Sequence, residues 1–383
     1  MRILIVLETS GGGSGRHAVD LAGGLAAAGH DVHVLYSRVR AETRFEQALR
    51  SVRGLSVDVV DMARMFGPGD IGAMRRIRRY VAANGPFDIV HAHSTKAVIA
   101  CVATADLPLG RIFTPHALRS CDPTLSWPAR AACGLIESVL ASFATAVIAV
   151  SADEARHARR IGIPARKLHL VTNGIAGEGL PDRAETRRRL GIAERDVCIG
   201  FVGRLVRQKA PQRLIEAAAA IAPAHPDLRL CFVGDGPLEV ELRTLAQQLG
   251  IAGRIVWCGP ANGQAAMPAF DVFALPSLYE GMPYVLLEAA AAGLPIVAAD
   301  VGGVRTVVTP DRNGFIAPNW DAAAFAGHLA ALAGDGERRA AMGAAAREVA
   351  RQFTIERMIA ETVAVYRAAR AIGAPSRQAE PAA

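Results

Sequence analysis

At 383 residues the chain exceeds the roughly 100–200 residues usual for one domain, so two cores are expected. Hydrophobic residues make up 51% and charged residues 21%, with a mean hydropathy of +0.23, which excludes a disordered polypeptide. The balance of 43 Lys+Arg against 36 Asp+Glu, net +7 with a pI near 9.4, admits three anionic partners: nucleic acid, a phosphate compound or an acidic membrane.

Read from the N-terminus, the apolar run 1–7 stops at Glu8 and a glycine stretch, too short for a signal peptide, so a cytoplasmic protein is expected. Strands are predicted at 3–7, 32–36, 57–60, 89–91, 112–113 and 147–150, with helical apolar spacing between them at 17–28 and 129–142. A second series follows at 198–202, 228–233, 255–257, 272–275 and 296–298. The uncharged stretches 138–152 and 256–270 fall short of the roughly 18–20 apolar residues of a membrane span. The alanine-rich segment 322–351 and the segment 355–371 read as helices. Alternating strands and helices in both halves point to an α/β protein with two doubly wound parallel sheets.

The predicted boundaries are 1–178 for the first domain, 179–195 for a linker, 196–352 for the second domain, 353–371 for a last helix and 372–383 for a flexible tail. Ligands of such sheets lie at the carboxyl ends of the strands, which would place one site in a cleft between the domains.

The six cysteines form no CxxC pair and read as buried hydrophobes in a reducing compartment. His91-Ala92-His93 resembles half a metal site, but no Cys or carboxylate stands nearby at a recognisable spacing, and structural or substrate-facing roles fit better.

Strand one leads into Ser10-Gly11-Gly12-Gly13-Ser14-Gly15-Arg16-His17 and a helix, which brings bare backbone close to an anion. Residues Gly13 to Ala18 fit GxGxxA, yet Ser37 stands where a dinucleotide site wants an acid, so a nicotinamide enzyme rests on this match alone. In the second half, Arg204 and Lys209 follow a strand and could clamp a pyrophosphate, as cations do in place of magnesium. No Asp-x-Asp pair is present, so no metal is expected on a diphosphate. Gly234-Asp235-Gly236-Pro237 follows the next strand and can approach a nucleotide or form a plain turn.

The most specific stretch is 276–289, containing Glu280-Gly281-Met282-Pro283 and Glu288. Pro283 suits a first helical turn, and Glu288 then lies about 7 Å along the axis from the helix start. One carboxylate could meet a sugar and the other a ribose. A Glu amid apolar residues needs a partner, since burying a bare carboxylate is costly.

In these residues the chain resembles the retaining glycosyltransferases of family 4, which have the two-domain GT-B fold. The resemblance runs from Gly12-Gly13 and His17 through Thr114-Pro115-His116, Asn173-Gly174, Gly203-Arg204, Gly234-Asp235-Gly236-Pro237 and Glu280/Glu288 to the last helix. It implies a nucleotide-diphosphate sugar, UDP- or GDP-linked, held by the second domain. Glu288 would sit on the ribose, Arg204 and Lys209 on the diphosphate, and the turn at Trp257, Cys258 and Gly259 near the base. Glu280 and the backbone of Gly281, Met282 and Pro283 would orient the sugar, with Gly13 closing over the phosphate. His116 would face the donor sugar, with Arg16, His17, His93 and Asn173 on the acceptor side. The last helix would return to the first domain.

The resemblance further implies retention by a front-face route in which the leaving diphosphate accepts the acceptor's proton, with neither protein base nor metal cofactor. His91-Ala92-His93-Ser94-Thr95-Lys96 and Thr114-Pro115-His116 look like enzymes that elongate lipid-linked oligosaccharides, lipopolysaccharide or other surface polysaccharides. Arg75, Arg76, Arg78 and Arg79, and Arg156, Arg159 and Arg160, are then either solvated faces or contacts to an anionic membrane or an acceptor diphosphate. The chain departs from the family at Gly15, where a glutamate is common, and at Ala210, where a glycine is common. A nucleotide-sugar epimerase or hydrolase on the same fold is the enzymatic alternative. A nucleic-acid-binding protein is disfavoured, because aromatics are 5% and do not interleave with the arginines.

Overall fold

The computed structural model describes residues 1–373 apart from 64, 178, 319 and 320. It divides into two compact units: Met1–Asn173 joined by the chain from Ile355 onward, and Gly174–Thr354. The predicted tail 372–383 lies outside the described residues except for its first two, which continue the final helix to Gly373.

The first unit holds β1 (Arg2–Leu7), β2 (Asp31–Tyr36), β3 (Leu55–Val59), β4 (Ile89–His93), β5 (Gly110–Thr114), β6 (Ala146–Ala149) and β7 (Leu168–Leu170). They form one sheet in the order β3-β2-β1-β4-β5-β6-β7 with every pairing parallel. Residues Ile3 to Leu7 are fully buried, which is why β1 reads as an unbroken apolar run: helices cover both its faces. One face is sealed by the helix Gly12–Ala27 and the last helix, Ile355–Gly373, whose Tyr366, Met358 and Val363 join Ile5 and Leu21 in one core.

The second unit repeats the plan with β8 (Val197–Val202), β9 (Leu228–Val233), β10 (Ile255–Trp257), β11 (Val272–Leu275), β12 (Ile296–Ala299) and β13 (Gly314–Ala317). Their order is β10-β9-β8-β11-β12-β13, again all parallel. Both sheets reverse direction of growth at their first strand. This creates a crevice beyond β1 and β4, where Leu7 pairs with His93, and another beyond β8 and β11.

Three expectations are corrected. The segment 179–195 is no free linker: Arg183–Leu190 is a helix of the second unit, capped by Asp182 on the Glu185 amide and ended by Gly191 in the left-handed region at φ 69°. Its Arg187 is fully buried, pairing with Asp271 at 3.2 Å and donating to the carbonyls of Ala193 at 2.8 Å, Ala269 at 3.3 Å and Asp196. The alanine-rich segment breaks into Ala322–Gly334 and Gly336–Ala350, because Asp335 leaves the helical conformation and caps the second through the Arg338 amide. Strands β7 and β13 lie outside the predicted strands: β7, Leu168–Leu170, is an edge strand with no fully buried residue, and β13 opens on Gly314, a residue that weakens a strand pattern.

Candidate functional site

In the first unit, the glycine segment is not the extended loop its sequence suggests. The helix begins at Gly12, with Gly11 at its N-cap, so Gly13 already lies in the first turn, and the GxGxxA match falls inside the helix rather than on a strand-to-helix turn. Arg16 bonds Asp20 one turn on, at 3.4 Å. At Gly15 an added Cβ would come within 3.0 Å of the Ser10 carbonyl, so the family's larger residue would require the turn to shift.

His17 of that helix meets His93 at the end of β4 and His116 after β5. His93 Nδ1 lies 2.9 Å from His116 Nε2, and the His17 ring stands 4.7 Å from that of His116. His17 Nδ1 faces Asn173 Oδ1 at 3.1 Å, which accepts and so places the proton on Nδ1. His91 is engaged separately, by Tyr366 Oη at 2.7 Å and Thr114 Oγ1 at 2.8 Å, and so belongs to the core. Burial lowers His17 to about 4 and holds His91, His93 and His116 well below the ordinary range, so all four imidazoles are neutral. Four of the expected residues, His17, His93, His116 and Asn173, are thus brought together.

Ligand spacing in the sequence did not suggest a metal set, yet one nitrogen each of His17, His93 and His116 lie within 4.8 Å of one another. By residue type such a trio suits a zinc-like ion. The His93–His116 and His17–Asn173 hydrogen bonds already occupy one nitrogen of each ring.

The turn carrying His116 is strained: His116 and Ala117 have φ of 58° and 98°, both left-handed without being glycine. Glu154 holds it, accepting from the Ala117 amide at 2.7 Å and the Val150 amide at 2.8 Å, with burial raising its carboxyl to about 7. Sequence reasoning missed Glu154. Its only signal is its place three residues after Ser151, the capping pattern that starts the helix Ala152–Arg160.

In the second unit, four loops at the carboxyl ends of the adjacent strands β10, β9, β8 and β11 are stitched into one wall. The Leu205 amide donates to the Asp235 carbonyl at 2.7 Å, the Gly234 amide to Gly259 at 2.8 Å, and the Leu278 amide to Gln208 at 2.8 Å. Gly234 and Gly236 have φ of 134° and 157°, and a Cβ on either would lie 2.1 Å from the Gly203 carbonyl oxygen or 2.4 Å from that of Leu205. Those glycines are therefore required by loop-to-loop approach whether or not a ligand is present. Pro237 is exposed beside them.

Lys209 is no open cation: its Nζ pairs with Glu280 Oε1 at 2.6 Å, and Ser277 Oγ donates to the same oxygen at 2.7 Å. Arg204 is exposed on the loop after β8. Ala210 takes φ 46° and ψ 48°, the left-handed conformation that explains the family's glycine there. Gly281, Met282 and Pro283 are buried, and Pro283 is the N-cap of the helix Tyr284–Ala292 rather than its first turn. Glu288, fifth in that helix, is 5% exposed. Cys258 Sγ sits 3.3 Å from Cys231 Sγ, while Trp257 is stacked on Phe232 and the Arg243 guanidinium lies over the Trp257 ring, 4.8 Å from its centroid.

Residues 11–177 match the family described as Glycosyltransferase Family 4, and residues 182–349 the family described as Glycosyl transferases group 1. A D-inositol 3-phosphate glycosyltransferase of Geodermatophilus obscurus is 33% identical over 320 residues, 78% of this chain and 70% of that protein. The putative glycosyltransferase EpsD of Bacillus subtilis is 26% identical over 316 residues, 79% of this chain and 82% of that one. Among solved structures, Anabaena HepE in complex with UDP and glucose superposes with a TM-score of 0.81 at 24% identity, covering 95% of this chain and 99% of the other. WaaG, a glycosyltransferase involved in lipopolysaccharide biosynthesis, does so with a TM-score of 0.73 at 18% identity, covering 97% and 99%.

Proposed function

The chain belongs to the family 4, group 1 glycosyltransferases of GT-B fold, and from that premise we propose a retaining, metal-independent hexosyltransferase that uses a nucleotide-diphosphate sugar to extend a sugar or lipid-linked acceptor in surface-polysaccharide assembly. The observation that carries this reading is the second unit's crevice beyond β8 and β11. There the Lys209–Glu280 pair, the wall of loops and the buried Glu288 converge on the position where such sheets bind nucleotides.

In this reading Glu288 accepts from ribose hydroxyls, and the diphosphate competes with Glu280 for Lys209. Donor binding then turns Lys209 toward the phosphates beside Arg204 and leaves the Glu280 carboxylate to accept from a sugar hydroxyl. The two cations stabilise charge on the departing diphosphate, which itself takes the acceptor's proton. Gly12 and Gly13 contribute helix amides at an anion-favouring helix start. His116, held neutral, serves as a sugar contact, while Arg16, His17, His93 and Asn173 are assigned to the acceptor. The absence of an Asp-x-Asp pair supports the metal-independent form.

The involvement of the similarly folded WaaG in lipopolysaccharide biosynthesis supports a polysaccharide or lipid-linked acceptor. The inositol-phosphate relative favours a second acceptor class, a phosphorylated polyol. A thermal-shift screen of UDP-, GDP- and ADP-sugars identifies the donor, and product analysis with each acceptor class identifies the transfer. Free sugar or an epimer formed rapidly without any acceptor would favour the hydrolase or epimerase alternative instead.

A further inference from the structure

The sheet of the second unit carries three thiols in a diagonal row. Cys231 of β9 pairs in register with Gly200 of β8 and with Val256 of β10. Cys198, two residues before Gly200, and Cys258, two residues after Val256, therefore lie on the same side of the sheet as Cys231. Cys198 and Cys231 are fully buried, whereas β10 is an edge strand and Cys258, just beyond it, is half-buried. The Cys258 amide donates to the Phe232 carbonyl at 2.9 Å, which fixes this residue at the end of the ladder, and its Sγ lies 3.3 Å from Cys231 Sγ. A covalent S–S bond of about 2.0 Å requires the two sulfurs to close by roughly 1.3 Å, which small side-chain rotations supply.

The thiols differ in reactivity. The hydrogen bond from Cys231 lowers Cys258; partial burial opposes this, and the charge of Arg189 on the helix Arg183–Leu190 adds to it. Hydrogen bonding with Cys198 and Cys258, together with burial, pushes Cys231 up. In the first unit, burial pushes Cys101 and Cys121 up to about 12 and raises Cys133. Oxidants react with the thiolate, so the half-exposed Cys258 is the attacking sulfur and the buried Cys231 stands behind it as the resolving one.

We propose that Cys258 and Cys231 form an oxidation site at which hydrogen peroxide installs a reversible disulfide. Cys258 Sγ, having released its proton, attacks one peroxide oxygen; the O–O bond breaks, Cys258 becomes a sulfenic acid, and the other oxygen leaves as water with that proton. Cys231 Sγ then attacks Cys258 Sγ, the S–O bond breaks, and a second water leaves with the Cys231 proton. Two thiols lose two electrons in all, and the peroxide is reduced to two waters; a dithiol reverses the bond. In a reducing compartment such a pair is a transient sensor rather than a structural staple. The bond ties the edge strand to β9 and draws Cys258 inward, and with it Gly259, whose carbonyl accepts from the Gly234 amide at 2.8 Å. Where the turn 257–259 borders a nucleotide base, oxidation lowers donor affinity; that consequence rests on the proposed function, whereas the bond itself does not.

The test is a peptide map of the full chain after brief treatment with hydrogen peroxide and alkylation under denaturing conditions. A cross-linked peptide joining Cys231 to Cys258 should form and disappear with dithiothreitol, and in Cys231→Ala the Cys258 sulfenic acid should instead be trapped by dimedone. Free thiols at both positions, a bond from Cys231 to Cys198, or direct oxidation of Cys258 to sulfinic acid in the unaltered chain would overturn the proposal. Should Cys231→Ala fail to fold, the map of the unaltered chain decides alone. Isothermal titration of UDP and GDP against the reduced and oxidised chain reads the consequence: binding at least about fivefold weaker after oxidation is expected, and equal affinity would overturn the regulatory role. If the reduced chain binds neither nucleotide, the donor assignment fails while the peptide map still decides the oxidation site.

Discussion

Replacing Arg187 by Met tests whether the segment 179–195 is part of the second unit's core. The guanidinium is fully buried and bonds one carboxylate and three carbonyls. Asp271 keeps Arg183 at 2.7 Å and the Cys198 amide at 2.7 Å, so its charge is not left bare, but the carbonyls of Ala193, Asp196 and Ala269 lose a donor. Breaking a buried pair costs about 3–5 kcal/mol, and the retained partners of Asp271 argue for the lower end, about 3 kcal/mol. With a urea m-value of about 1–3 kcal/mol/M, the midpoint should fall by roughly 1 M or more. In a Trp127→Phe background, Trp257 of the second unit reports that transition by its fluorescence. A midpoint within about 0.2 M of the parent, as expected for substitutions away from buried features, would refute the burial argument.

Three further outcomes follow from the same geometry. Lys209→Ala removes both the partner of Glu280 and a diphosphate cation, and should lower kcat/KM for sugar transfer by about a hundredfold or more, measured by steady-state assay; an unchanged value contradicts its role. Ala210→Gly relieves a left-handed alanine and should raise the second unit's stability by about 1 kcal/mol in urea, whereas a loss of stability would show that the conformation is not strained. Burial lowers His17 from 6.5 to about 4, so below pH 6.5 the unfolded chain takes up a proton that the folded one refuses. Stability is therefore present above pH 6.5 and lost as the pH falls toward 4, by roughly 3 kcal/mol for His17. His91, His93 and His116 add in the same direction, and a urea midpoint that stays flat between neutral pH and about 5 would contradict this.

Both sheets were legible because their central strands are continuous apolar runs, and Glu288 was legible because a carboxylate amid apolar residues demands an explanation. Arg187 was not, since its neighbours Arg188 and Arg189 make the segment look like solvated charge, and only the fold shows which of the three turns inward. The same applies to the histidines: His17, His93 and His116 stand far apart in sequence, and the carboxyl ends of β4 and β5 bring them to the helix after β1. The Lys209–Glu280 pair joins residues 71 positions apart, so each was read as a ligand contact without its partner. The glycines at 234 and 236 were recognised, but as nucleotide neighbours; the Gly203 and Leu205 carbonyls against them are visible only in three dimensions.

The central claim is that the second unit's crevice holds a nucleotide-diphosphate sugar through Glu288. Isothermal titration of UDP and GDP against the unaltered chain and Glu288→Ala, in the presence of a chelator, addresses it most directly. The account predicts saturable binding of one nucleotide without metal, weakened at least about tenfold by the substitution because a buried carboxylate no longer meets the ribose. Equal affinity of the two proteins for that nucleotide, or no binding of either nucleotide by the unaltered chain, would contradict it.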